Sequence, residues 1–130
     1  MNEDFEITVA KQTGKSIMPD YHYHDYYEIY YLASGERVYY IEDRSYPVKK
    51  GSMLFINKNN IHKTVEGAKP GHERILIYFT DEFLERHCEK DKNFLLSTFR
   101  DPSKLVRFNN QELTFVENVL FQMVEEYKKG

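Results

Sequence analysis

The chain has 130 residues, a net charge of −3 and a pI near 6.0, which speaks against this chain alone holding nucleic acid, a role that needs a basic patch. Its single cysteine, Cys88, excludes a disulfide framework. The acidic start lacks the apolar stretch of a signal peptide, and no apolar run approaches the roughly 18 residues of a membrane span, so a soluble cytoplasmic domain is the expectation.

In chain order, Phe5 to Ala10 alternate apolar and polar residues as a strand does. Thr13-Gly14-Lys15 and Pro19-Asp20 punctuate the chain before a second strand, expected from Tyr21 to about Ala33. Side chains alternate faces along a strand, so His22, His24, Tyr26, Glu28 and Tyr30 share one face. Tyr23, Asp25, Tyr27 and Ile29 take the other. Ser34-Gly35-Glu36 reads as a turn, Arg37 to Glu42 as a strand, Asp43-Arg44-Ser45 as a turn, and Tyr46-Pro47-Val48 as a short or edge strand. Met53 to Ile56 is an apolar run suited to a buried strand. Asn57 to Asn60 is a polar turn, because Asn tolerates left-handed backbone. Ile61 to Val65 carries His62, and Arg74 to Phe79 is a last apolar strand. Residues 1–80 thus hold seven or eight short strands, the pattern of an antiparallel sandwich or barrel.

The pattern changes at Thr80, an N-cap for a helix over 81–90 with acids in its first turn. A second helix is expected over Phe94 to Phe99, stopped by Asp101-Pro102, and a brief extended stretch over Leu105 to Phe108. Asn109 and Glu112 have capping-box spacing at the start of a long amphipathic helix, which ends in Lys128 and Lys129. Leu113, Val116, Leu120, Met123 and Tyr127 form its apolar seam over two heptads. That seam packs on the domain's own sheet, pairs with the same helix of a second chain, or does both, since Val119 and Phe121 lie off the seam and widen the apolar surface beyond one contact. No repeat or linker divides the chain, so 1–130 is expected to be one domain: a β half (1–80) and a helical half (81–130).

Chemistry concentrates on the histidines. His22, His24 and Glu28, with His62 on a later strand, offer three nitrogens and one oxygen, a set suited to Zn, Ni, Mn or Fe. The same groups can line a polar pocket that holds no metal. His72 and His87 stand isolated, and adjacent His87 and Cys88 do not share a helix face, so no catalytic dyad is expected.

Residues 22–35 match the first motif of the cupin superfamily, His-x-His-x3-Glu-x6-Gly, at each position. Residues 51–62 resemble the second, Gly-x5-Pro-x-Gly-x2-His, through Gly51 and His62, with Asn57 in place of the Pro and Asn59 in place of the second Gly. Glu66 stands where that motif ends in Asn. The runs His22 to Gly35 and Tyr46 to Ile56, with the helices after residue 80, look like the sensor domain of AraC-type transcriptional regulators. This resemblance implies a double-stranded β-helix, the cupin or jelly-roll barrel, followed by two or three helices. It also implies a small polar effector in the barrel among His22, His24, Tyr26, Glu28, Tyr30 and His62, with no catalytic residue. A homodimer through the C-terminal helix (Leu113, Val116, Leu120, Met123, Tyr127) is implied as well. DNA would be bound only by a separate helix-turn-helix domain, for which residues 1–130 leave no room. If a metal is bound, the cupin pattern assigns it to His22, His24, Glu28 and His62. Two alternatives stand beside the sensor: a stand-alone metal-dependent enzyme (dioxygenase or isomerase), and a structural dimerisation module with a filled barrel.

Overall fold

A computed structural model describes residues 3–14 and 21–130, and among these seven strands form, all paired antiparallel. They are β1 (Phe5–Gln12), β2 (Tyr27–Ile41), β3 (Arg44–Lys49), β4 (Ser52–Ile56), β5 (His62–Glu66), β6 (His72–Phe79) and β7 (Leu105–Arg107). The organising element is β2. Its first half pairs with β4 and β6, its second half with β3 and β5. One strand therefore belongs to both walls of the barrel.

This corrects the expected turn at Ser34-Gly35-Glu36. The chain passes through Gly35 without reversing, by a register shift between Leu32 and Ser34. Gly35 sits at φ +94°, and a Cβ there would meet the Gly71 carbonyl oxygen at 2.5 Å and His72 Cα at 2.9 Å. Only glycine allows that backbone with β6 so close. With the two runs merged, six strands, not seven or eight, lie before residue 80 among the described residues. The next reversal is tighter than expected: Glu42 and Asp43 turn, and Arg44 and Ser45 already pair in β3. The start of the opening strand is corrected too, since regular pairing begins at Tyr27 and only an isolated bridge, His22 to His62, precedes it.

Three α-helices follow: α1 (Asp81–His87), α2 (Lys92–Arg100) and α3 (Asn110–Lys129). The Thr80 hydroxyl accepts from Phe83 N and caps α1, as its position predicts. That helix stops before Lys90 because Cys88 leaves helical geometry, and Glu89–Asp91 form a single 3-10 turn. Asp101, ahead of Pro102, takes an extended conformation that ends α2. Asn109 and Glu112 form the reciprocal capping box of α3.

Alternation along β2 splits the apolar residues into two clusters. Tyr27, Ile29 and Tyr31 face outward and pack with Met53, Ile75, Ile77 and Phe79 against Leu84, Leu96, Phe99, Leu120 and Val124 of the helices. Tyr30 and Leu32 face inward with Tyr39, Ile41, Val48, Leu54, Ile56 and Leu76. Each large side chain buried this way contributes about 1.5–3 kcal/mol. The seam of α3 goes to the first of its two possible partners: Leu113, Val116, Leu120, Met123 and Tyr127 all pack on the domain's own outer cluster. The apolar residues that α3 leaves exposed are Phe115, Val119 and Phe121. Among the described residues, no helix is long and apolar enough to cross a membrane.

Candidate functional site

The site forms where the start of β5 meets the segment before β2. His22 and His62 exchange both backbone hydrogen bonds, each 2.9 Å, which brings their rings edge to face at 4.1 Å. Asn59 N donates to the His24 carbonyl and holds the next histidine in place. Asn59 is at φ 65°, the left-handed backbone for which the motif otherwise uses Gly. Asn57 substitutes for the motif Pro by building the turn with its side chain: its Oδ1 accepts from Lys58 N, and its own N–H donates to Asn60 Oδ1. The two departures from the motif thus keep the turn that delivers His62.

Hydrogen bonds orient the imidazoles of His24 and His62. His62 Nδ1 lies 2.9 Å from the Asn60 carbonyl, so this nitrogen carries the proton and Nε2 presents a lone pair. That Nε2 is buried, 3.7 Å from Glu28 Oε1, and has no hydrogen-bond partner among the described residues. His24 has Nδ1 at 3.0 Å from the Tyr26 carbonyl and Nε2 at 3.1 Å from Glu28 Oε1. Both nitrogens of His24 therefore face oxygen acceptors, a geometry satisfied by a doubly protonated ring or by a cation between His24 and Glu28. The Tyr39 hydroxyl donates to the other Glu28 oxygen at 3.4 Å. Glu28 itself is only 3% exposed.

One nitrogen from each of His22, His24 and His62 lies within 4.8 Å of the others. Burial lowers the pKa of His62, against the attraction of Glu28, and burial together with the neighbouring His62 lowers that of His22. These rings are thus held toward the neutral form that binds metal or accepts a hydrogen bond. Burial, then Glu28, raises the hydroxyls of Tyr26, Tyr39 and Tyr78, which keeps them protonated as donors.

Five of the six expected ligand-binding residues converge: His22, His24, Tyr26, Glu28 and His62. Tyr26 stacks on His24 at 3.9 Å. Tyr30 points into the same interior but lies deeper, edge to face with Tyr39, and the charges that act on it most are Arg37 and Arg74. Sequence reasoning missed Tyr39 and Tyr78. Tyr78 was legible through its period-2 spacing from Leu76, whereas the inward phase of Tyr39 depends on the irregularity at Leu32/Ser34.

The four candidate ligands fit a divalent first-row metal in donor type (three imidazoles and a carboxylate), and the orphaned His62 Nε2 would offer such an ion its lone pair. Equally, the cluster is an array of fixed donors and acceptors that can grip an oxygen-rich organic molecule.

Comparison with known proteins shows the family and the fold. The family model of the AraC-like ligand binding domain matches residues 4–104. Over 129 residues the chain is 26% identical to the HTH-type transcriptional activator RhaR of Mannheimia succiniciproducens, covering 99% of this chain and 45% of that protein. The chain thus spans less than half the length of this curated relative. Among solved structures, ToxT of Vibrio cholerae O395, bound to (E)-4-(8-methylnaphthalen-1-yl)but-3-enoic acid, superimposes with a TM-score of 0.62 at 14% identity, over 93% of this chain and 49% of that one. A cupin 2 conserved barrel domain protein of Salinispora arenicola gives 0.54 at 14% identity, over 69% and 75%. At these identities the likeness shows the fold alone, a cupin-type barrel, which in this chain is followed by three C-terminal helices.

Proposed function

Because the chain belongs to the AraC-like ligand-binding domain family, we propose that it is the effector-sensing part of a transcription regulator. A small polar effector binds in the barrel at His22, His24, Tyr26, Glu28 and His62, with Tyr30 and Tyr39 beneath. DNA is bound by a separate domain of the regulator, in keeping with the HTH-type relative. The observation that carries this reading is the cluster of three imidazoles, two of them against the buried Glu28 carboxylate, with the buried His62 Nε2 left without a partner among the described residues. The domain performs no turnover in this reading. Its partner is a second copy of the chain, met through the part of α3 not used by the domain itself, around Phe115 and Val119. The test is the DNA affinity of the full regulator with and without candidate small molecules: no change with any compound that binds the barrel overturns it.

A second reading is favoured by the donor set itself. His22, His24, Glu28 and His62 hold a divalent Zn, Ni, Mn or Fe ion, as a permanent part of the sensor or in a dioxygenase- or isomerase-like enzyme. An ion held by these residues would supply Lewis acidity toward a ligand oxygen. Metal analysis of purified protein, before and after incubation with each ion, tests whether the cluster holds an ion, and turnover of a substrate by the metal-loaded protein separates the enzyme from the sensor.

A further inference from the structure

The turn over residues 57–60, between β4 and β5, touches both the histidine cluster and the helices. Its backbone holds the cluster: Asn59 N donates to the His24 carbonyl at 2.6 Å, and the Asn60 carbonyl accepts from His62 Nδ1 at 2.9 Å. Its Lys58 side chain reaches the helices instead. The ammonium donates to Asp81 Oδ2, at the first position of α1. The other Asp81 oxygen accepts from the Tyr27 hydroxyl at 2.7 Å, and the Lys58 ammonium stands 5.9 Å from the centre of the Tyr27 ring. Tyr27 packs in turn on Phe79 and on Phe99 of α2. Asp81 is thus held by two residues, and each is one position from a group that builds the cluster: Lys58 precedes Asn59, and Tyr27 precedes Glu28.

The turn is stiff. Asn57 N donates to Asn60 Oδ1, Lys58 N to Asn57 Oδ1, and Asn60 N to the Asn57 carbonyl. A shift imposed on Asn60 by His62 is therefore carried to Lys58. The outer contact, by contrast, can break. The Lys58 and Asp81 side chains are each 38% exposed, so water competes for both, and the paired and unpaired arrangements lie close in free energy. While it is made, the Lys58 hydrogen bond, and after it that of Tyr27, holds the Asp81 carboxyl below the ordinary carboxylate range against the opposing effect of burial. The other ion pairs of α1 among the described residues, Arg86 to Asp4 and Glu85 to Lys92, reach no residue of the turn.

Resting on the effector-sensing reading, we propose that the 57–60 turn couples occupancy of the histidine cluster to the helices, with Lys58 and Asp81 as the contact that carries the change. A guest on His62 Nε2 fixes that ring, and the ring acts on Asn60 through Nδ1–H. A guest on His24 acts on Asn59 through the His24 carbonyl. The turn then resets Lys58 against Asp81, which biases the start of α1 and, through Tyr27 and Phe99, α2. Such coupling is reciprocal, so a change at Lys58 or Asp81 alters the cluster in return.

NMR of the isotope-labelled chain during titration with zinc chloride tests the proposal. In the wild type, zinc is expected to shift the His24 and His62 ring signals and the α1 amides together. In Lys58→Met the rings are expected to shift while the α1 amides stay. Lys58→Met and Asp81→Asn are each expected to change the zinc affinity by about two- to fivefold, and the double variant by no more than the larger single effect, since one contact is broken. Lys92→Met, which breaks the Glu85 pair on the same side of the molecule's helical half, is expected to leave the affinity unchanged. Amides of α1 that stay still in the wild type while the rings shift, or that shift as much in Lys58→Met, overturn the coupling. Where zinc moves no ring signal, the free protein decides. Asp81→Asn, which touches no imidazole, is expected to shift the His24 and His62 rings, and unshifted rings overturn the coupling. The sensor reading stands apart: coupling present while DNA affinity ignores every guest overturns that reading alone, and a DNA response without the coupling overturns this relay alone.

Discussion

Tyr30 and Tyr39 meet edge to face inside the barrel, ring centroids 4.8 Å apart, although both belong to β2. The contact exists because the strand crosses from one wall to the other at Gly35. Tyr39 also donates to Glu28 across the interior. Tyr39→Phe keeps the ring contact and removes a donor from a buried carboxylate, so it is expected to destabilise the fold by about 1 kcal/mol in urea denaturation. A variant as stable as the wild type shows that this hydrogen bond does not contribute.

Stability is expected to fall on mild acidification. Burial lowers the pKa of His22, His62 and His72 below the ordinary 6.5, in the last case to about 4. Between 6.5 and the lowered values the unfolded chain binds more protons than the folded one, so the unfolding free energy decreases as pH falls through that window. Above it the contribution is complete. Denaturation midpoints at a series of pH values check this, and His72→Gln is expected to flatten the slope in the lower part of the window.

The metal reading predicts one ion per chain, lost in His62→Ala and released by acid as the imidazoles protonate. Elemental analysis after dialysis checks the stoichiometry. Protein that stays metal-free after exposure to Zn, Ni, Mn and Fe leaves the organic effector as the sole occupant of the cluster.

The capping box gives a prediction independent of function. Asn109 Oδ1 accepts from Glu112 N at 2.8 Å, and Glu112 returns the contact to Asn109 N at 2.9 Å. Asn109→Ala is expected to cost about 0.5–2 kcal/mol, read as a lowered thermal midpoint.

Dimerisation through the free side of α3 predicts that Val119→Glu shifts the mass measured by light scattering to that of one chain, with the circular dichroism spectrum unchanged. A dimer that survives this substitution is built elsewhere.

Much of the fold follows from local chemistry that can be read along the chain. Thr80 and Asn109 announce their helices because an N-cap needs only a side-chain oxygen in the right place. His22, His24 and Glu28 announce the candidate site because their spacing is that of a strand face, and His62 joins them through its place in the second motif. Gly35 misled because glycine at positive φ serves turns and bulges alike, and only the nearness of β6 decides between them. That ambiguity also hid Tyr39: without the shift at Leu32/Ser34, its inward phase is unknown. The seam of α3 was visible, but its partner was not, since a stripe of apolar side chains fits a sheet as well as a second helix.

The alternation of β2 has a consequence for how the molecule tolerates change. Tyr30 faces the interior, while its neighbour Tyr31 donates to Glu117 of α3 at 2.9 Å. Neighbouring positions thus serve opposite sides, one the barrel interior and one the helix. A conservative substitution disturbs only one of them, but insertion of a single residue ahead of Tyr30 would exchange the two sets wholesale. Length in this strand is therefore more tightly constrained than identity: natural variation can retune the pocket residue by residue, whereas indels should be confined to the loops on either side.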